Sequence, residues 1–340
     1  MPSSGNLPMI SVIIVSYNSK EELSNCLASL QKKNFSGKFE IIIVDNASTD
    51  GSVSYVKDHF PSVKVIMNKY NMGYGGACNI GAQFAQGDYL VLLNQDTKVD
   101  KAWLFELVKV LSSDKSIGAC SSQILFWNGD KTQNLGGLYN PESGYGVDIG
   151  FGETTNDASR KPYKVFYGSG ASLMVRSQTF KEVGGFDADY FLYFDEVDLC
   201  WRIRLLGYEV YIVPTSLVYH KIDPLRAHSS KHRFFVERNS LQTIIKNYEL
   251  KNFIKFGLLV IMIRIWGVVF LTIKGKIKYS LAILKGVYYN IQNLRKIWLK
   301  RQLIQEKRIV TDKALFEKHL ILTLPLLLRM FRIEVAPFLD

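Results

Sequence analysis

The sequence is poor in the features that usually identify a site at a glance. It has four cysteines in 340 residues, Cys26, Cys78, Cys120 and Cys200, and no two of them form a CxxC pair. That spacing supplies neither a zinc site nor a redox dithiol, so reduced thiols of a cytosolic protein are expected. Residues 1–8 hold no basic start ahead of an apolar core, so no secretory leader is expected. No P-loop and no Gly-x-Ser-x-Gly elbow occurs, and Gly73-x-Gly75 has Cys78 where a dinucleotide fingerprint needs its third glycine. Acidic residues are scarce in one part only. Residues 221–340 hold 23 Lys and Arg against 8 Asp and Glu, whereas residues 1–220 hold 19 against 23. The formal net charge of +11 therefore belongs to the tail. The chain divides into a slightly acidic body, 1–225, and a basic, apolar-rich helical region, 226–340.

With 47% hydrophobic and 13% aromatic residues, the chain is too apolar to be disordered. Its first half alternates apolar runs with helical patterns. Met9–Ser16, Phe39–Val44, Val63–Met67 and Tyr89–Leu93 read as strands. Lys20–Lys32 (with Leu23, Leu27 and Leu30 at helical spacing), Ser52–Phe60, Asn79–Gln86 and Trp103–Leu111 read as helices. Near-continuous Val, Ile and Leu runs between helices predict an α/β fold whose mostly parallel sheet is covered on both faces. Residues 118–164, rich in Gly, Asn, Asp and Ser, read as long loops. Phe166–Val175 reads as a strand interrupted by Gly168 and Gly170, Phe191–Leu206 as a helix with an acidic start, and Glu209–Val213 as a last strand capped by Pro214.

In such sheets ligands bind beyond the carboxyl ends of the strands. Those ends carry Ser16-Tyr17-Asn18, Asp45-Asn46-Ala47-Ser48, Asn68 to Gly76, and Asn94-Gln95-Asp96. Each alone is an ordinary turn or helix cap. Four in succession suit a nucleotide and its diphosphate. The stretches VIIVSYN (12–18), IIIVDNASTDGS (41–52), NMGYGGACNIGA (71–82), GDYLVLLNQD (87–96), GSGASLMVR (168–176) and FDEVDLCWR (194–202) resemble the family-2 glycosyltransferases. The likeness covers residues 9 to 220 and, in its details, is closest to the rhamnosyltransferase-like branch.

The resemblance implies the GT-A (nucleotide-diphospho-sugar transferase) fold and transfer with inversion from a nucleotide sugar. It implies that Asp45 meets the base, that Tyr17 and Asn18 line the nucleotide cleft, and that Asn71, Gly73 and Gly75 pass close to the nucleotide. Asn94 and Asp96 stand where the family carries Asp-x-Asp. Asp96 then holds Mg or Mn on the diphosphate, with His220 as a further metal ligand. Asn94 offers only a neutral amide oxygen, which weakens the protein's own grip on a cation. The family's base maps to the second of two adjacent acids, Glu196, with Asp195 left as the alternative; one of them takes the acceptor's proton. Arg202 either faces ligand or pairs with Asp198.

The tail lies outside the resemblance. Phe256–Ile273 is an 18-residue apolar stretch with Arg264 near its centre, and Lys274, Lys276 and Lys278 follow it. Basic residues bordering apolar runs fit an anionic membrane surface and not nucleic acid. Eighteen residues are barely long enough to span, and a central arginine costs roughly 2.5–3.5 kcal/mol on insertion scales. Association in the plane of the cytoplasmic face is therefore expected over a single spanning helix. Partners expected are a dTDP- or UDP-sugar and a lipid-linked glycan acceptor, carried on a polyprenyl diphosphate. Rhamnose from dTDP-rhamnose is the expected donor. A UDP-hexose or UDP-N-acetylhexosamine donor, or a nucleotide-sugar-binding protein without turnover, are the alternatives.

Overall fold

The computed structural model describes residues 7–31, 35–154, 161–221 and 229–316. They form two compact units: the described residues of Met1–Gly136 with Asp148–Asp223, and those of Gly137–Val147 with Pro224–Asp340. The second unit thus takes eleven residues from the middle of the chain, which no composition shift announces.

In the first unit β1 (Ile10–Ser16), β2 (Phe39–Asp45), β3 (Lys64–Met67) and β4 (Tyr89–Asn94) lie in the order β4-β1-β2-β3, all parallel. Ile10, Val12, Ile13 and Ile14 are all buried, so β1 is covered on both faces and has no alternating pattern. The covering helices are α1 (Lys20–Gln31), α2 (Ser52–His59), α3 (Gly73–Phe84) and α4 (Trp103–Ser113). Leu23, Leu27 and Leu30 of α1 and Leu104, Leu107 and Leu111 of α4 join one core. Helix α3 begins six residues before its expected start, because the glycines of the presumed loop form its first turn.

Residues 118–164 are not simply loops. They contain most of β6 (Ile117–Phe126), and β7 (Thr132–Asn134), β8 (Gly137–Asn140), β9 (Tyr145–Asp148) and β10 (Tyr163–Lys164). The pattern of β6 is hidden by Ser121, Ser122 and Gln123, which are buried in the fold with partners. Ser122 Oγ lies 2.9 Å from the hydroxyls of both Ser172 and Ser216, and Gln123 donates to Thr132 Oγ1. Strand β11 (Ser172–Arg176) runs antiparallel between β4 and β6. Strand β12 (Glu209–His220) does not stop at Pro214. It continues to His220 beyond a register shift between Val213 and Leu217, where a proline without an N–H costs no ladder bond. Short β5 (Thr97–Val99) pairs with the end of β12. Helices α5 (Ser177–Glu182) and α6 (Asp195–Leu205) complete the unit.

The second unit is organised around α7 (Ser230–Asn247), whose start is capped by the Ser229 hydroxyl. Helices α8 (Leu250–Ile273), α9 (Ile277–Gln292) and α10 (Leu294–Lys307) follow, then short α11 (Asp312–Phe316). The polarity is inverted relative to a soluble bundle. The buried α7 carries Glu237, Arg238, Asn239, Ser240, Gln242, Thr243, Lys246 and Asn247. Ile254, Leu258, Ile261, Met262, Ile265, Trp266 and Val269 of α8 are exposed, at spacings that share one helical face. Ile277, Leu281, Leu284, Tyr288 and Ile291 of α9 are exposed as well. A further apolar run of the sequence, 319–331, broken by Pro325, lies outside the described residues.

Candidate active site

The carboxyl ends of β1, β2 and β4 meet at one rim, as parallel pairing requires. Ser16 is the register partner of Asp45, and Val15 that of Asn94. Asp45 is buried; its Oδ2 accepts from the Ser48 amide at 3.0 Å, while Oδ1 has no hydrogen-bond partner among the described residues. A buried carboxylate oxygen left open is costly unless a ligand completes it. Asn18 accepts from the Thr49 amide at 2.8 Å, tying the β1 and β2 ends together, and Tyr17 is half-exposed beside them. The Tyr17 amide in turn donates to Gln95 Oε1 at 2.9 Å.

The glycine-rich segment has a packing reason of its own. Asn71 accepts from the Gly73 amide at 2.9 Å and sets the first turn of α3. Gly73 has φ +75, and a Cβ there would strike the Phe191 backbone. A Cβ on Gly75 would lie 2.8 Å from that of Phe186. Absence of Cβ thus brings α3 against residues 186–191, a constraint beyond any close approach of nucleotide. The Tyr74 amide donates to Phe191 O and its hydroxyl to Gly170 O, each at 2.8 Å. Non-glycine residues with positive φ are Asn18, Ala47, Phe191, Tyr193 and Phe194 among the described residues. All five flank the strand-end rim or the start of α6, which is where strained backbone is expected at a functional site.

That second strained segment delivers the acidic helix start. Asp195 is buried and bonded through its side chain to Glu196. Burial, followed by the charge of Asp195, pushes the Glu196 carboxyl well above the ordinary range, and burial also raises Asp195. Glu196 looks onto Gly170, where a Cβ would stand 3.6 Å from its own. Asp198 has a different task. It takes a 2.8 Å ion pair from Arg202, whose Nη1 also donates to Val183 O and Gly185 O. Arg202 therefore pins the turn before the site from inside the core.

On the other side of the rim, β5 and β12 pair antiparallel with Thr97 opposite His220. This places His220 Nε2 3.2 Å from Asp96 Oδ1 and 3.4 Å from Asn94 Nδ2. No group of three or more His, Cys, Asp or Glu side chains placed to hold a metal ion occurs among the described residues. The pair nevertheless fits a divalent cation as two donors. With bonds of about 2.1 Å, adjacent corners of an octahedron lie roughly 3 Å apart. Ligands from a diphosphate and water would have to complete such a shell.

Three residues here have roles that the sequence reading did not single out. Gln133, on β7, puts Oε1 3.1 Å from His220 Nδ1. Tyr167 donates at 2.8 Å to Asp148, whose charge helps raise Glu196. Tyr74 holds Gly170 in front of Glu196. Gln133 and Tyr167 lie outside the strand-end motifs and Tyr74 inside one, but only folding brings the three to these contacts.

The family model "Glycosyl transferase family 2" matches residues 11–184. The chain belongs to that family. This glycosyltransferase is 24% identical over 297 residues to the low-salt glycan biosynthesis hexosyltransferase Agl10 of Haloferax volcanii, covering 84% of the chain and 91% of the relative. It is 26% identical over 270 residues to the N-acetylglucosaminyl-diphospho-decaprenol L-rhamnosyltransferase of Mycobacterium tuberculosis, covering 68% and 85%. Among solved structures, the mannosyltransferase PcManGT of Pyrobaculum calidifontis, in complex with GDP-Man and Mn2+, superposes with a TM-score of 0.54 at 16% identity, covering 93% of this chain and 89% of that one. GalNAc-T7 with UDP, GalNAc and Mn2+ gives 0.53 at 20% identity, covering 68% and 49%. These structural likenesses establish the GT-A fold of the glycosyltransferase.

Proposed function

We propose that this glycosyltransferase inverts configuration while moving rhamnose from dTDP-rhamnose to a glycan borne on a polyprenyl diphosphate. The observation that carries the reading is the hydrogen-bonded Asp195–Glu196 carboxyl pair, raised by burial, with Glu196 beside Gly170. A carboxylate with a raised pKa is the stronger base for a sugar hydroxyl. As the acceptor oxygen bonds to the anomeric carbon, its proton passes to Glu196 and the nucleoside diphosphate leaves from the opposite face. Asp195 bonds to Glu196 and is the alternative acceptor of that proton. The open Asp45 Oδ1 takes the base, with Tyr17, Asn18, Asn71, Gly73 and Gly75 along the nucleotide. Asp96 and His220, with Asn94 beside them, are the residues that would hold Mg2+ or Mn2+, which when bound neutralises the leaving diphosphate.

The rhamnosyl donor is supported by the mycobacterial relative and the lipid-linked acceptor by that relative's name. The Haloferax hexosyltransferase, aligned over more of the chain, favours a hexose donor, so that a UDP-hexose is the second reading. The inverted polarity of the described residues 229–316 supports membrane association; we place the protein at the cytoplasmic face of a membrane, with 226–340 as a region separate from the catalytic residues 1–225. Its apolar faces are bordered by Lys251, Lys255, Lys274, Lys278 and Lys285, a charge pattern complementary to anionic lipid.

Thermal shifts with dTDP, UDP and GDP, each with Mn2+, followed by transfer assays with the matching sugars, test the donor. Selective stabilisation by dTDP and transfer of rhamnose are expected. Stabilisation by UDP alone replaces the donor with a UDP-sugar, and a response to none of the three overturns the nucleotide-sugar reading.

A further inference from the structure

We propose that Gln133 is a positioning residue, which fixes the ring and the tautomer of His220 so that Nε2 presents a lone pair toward Asp96. The inference rests on the metal-ligand reading of His220 given above.

His220 ends β12, and its ring is held at both nitrogens. On one side, Nδ1 lies 3.1 Å from Gln133 Oε1. An amide oxygen only accepts, so Nδ1 carries the hydrogen and donates it. In a neutral imidazole the other nitrogen is then the acceptor. That nitrogen, Nε2, faces Asp96 Oδ1 at 3.2 Å and Asn94 Nδ2 at 3.4 Å. A lone pair and a carboxylate oxygen at that separation repel unless something positive lies between them. The amide N–H of Asn94 relieves part of this, and a cation relieves all of it. With the opposite tautomer, an Nε2–H would donate to Asp96 and close the gap. Histidines that bind metals generally donate their second N–H to a carbonyl or carboxylate for this reason.

The fold gives Gln133 this place. Strand β7 pairs with β6, with Asn134 opposite Ile124, and β6 pairs with β12, with Phe126 opposite His220. Thr132 and Asn134, on either side of Gln133, are buried, and Thr132 accepts a hydrogen bond from Gln123. The three-residue strand is thus anchored at both neighbours, while the intervening side chain is free to reach His220.

The test compares Gln133→Leu, which removes the acceptor, with Gln133→Glu, which restores it in stronger form, and with His220→Ala. Manganese binding is followed by electron paramagnetic resonance in the presence of dTDP, and the tautomer of His220 by its ring 15N shifts. Wild-type protein is expected to show the Nδ1–H form. Gln133→Leu is expected to lose that form and bind Mn2+ about 10–100-fold more weakly, while Gln133→Glu keeps the form and stays within a few-fold of wild type. If Gln133→Leu retains both the tautomer and the affinity while His220→Ala loses affinity, the positioning role is overturned and the ligand role stands. If His220→Ala binds Mn2+ as wild type does, the ligand reading itself falls, and the role of Gln133 with it.

Discussion

Arg264, in the middle of the most apolar helix, lies 3.2 Å from Glu237 of the buried α7. Its guanidinium also donates to Ser143 O, Val260 O and Ser240 Oγ. Glu237 accepts in addition from Arg233 at 2.6 Å and from the Tyr145 hydroxyl at 2.5 Å. The charge that makes α8 look unsuited to lipid is therefore turned inward and paired, and the outward face of α8 is apolar.

The exposed face of α8 is accordingly predicted to bind membranes. The full chain should float with vesicles containing anionic lipid, and the double variant Leu258→Glu/Ile265→Glu should not. Added salt should weaken flotation without abolishing it, since screening acts on the lysines and not on apolar burial. Equal flotation of wild type and variant would refute seating through this face; a wild type that ignores vesicles and forms dimers would assign the face to a second copy.

Glu196→Gln is predicted to reduce transfer by at least about 100-fold, the lower range for loss of a general base. Its stability should move the other way. A carboxyl raised on folding is protonated in the native state after the unfolded chain has already lost its proton. Native stability therefore falls as pH rises from the ordinary carboxylate range toward the raised value. The amide variant lacks this loss, so at neutral pH it should melt no lower than wild type, and its advantage should shrink toward pH 4. Calorimetry at several pH values checks both.

The wild-type pH profile should show the same shift in activity. The acidic limb of kcat/KM is expected above the ordinary carboxylate range, because Glu196 must be ionised to accept the proton and burial beside Asp195 holds it protonated. A limb near pH 4 would contradict the assignment of the base to this pair.

Asp198→Ala is predicted to destabilise strongly without touching ligand. It leaves the buried Arg202 guanidinium uncompensated, which typically costs about 3–5 kcal/mol. Asp198→Asn should cost less, because the amide oxygen still accepts from Arg202. Denaturant unfolding monitored by tryptophan fluorescence separates the two.

Gly73→Ala should lower both stability and activity. The new methyl group meets the Phe191 backbone, and the required φ of +75 is itself strained for alanine by about 1–3 kcal/mol. Relief of the clash would displace the strained turn that presents Glu196. Unchanged kcat in a folded Gly73→Ala protein would show that this packing does not govern the base.

The sequence by itself determined the family, the α/β class, the first four strands and the acidic start of α6, because these rest on short-range patterns. Continuous Val and Ile runs report burial on both faces, and polar clusters directly after them report strand ends. What lacked a local pattern was decided by tertiary structure. Strand β6 is hidden by serines whose hydroxyls find partners only in the assembled sheet, and β12 passes Pro214 because a bulge absorbs the missing N–H. The contact of His220 with Asp96 depends on β5 returning to pair with β12, and that with Gln133 on β7, neither of which has a periodicity to read. The direction of Arg264 was likewise invisible. A charged residue in an apolar run reads as a penalty until the fold supplies Glu237, since pairing across helices is a property of packing and leaves no trace in spacing along the chain.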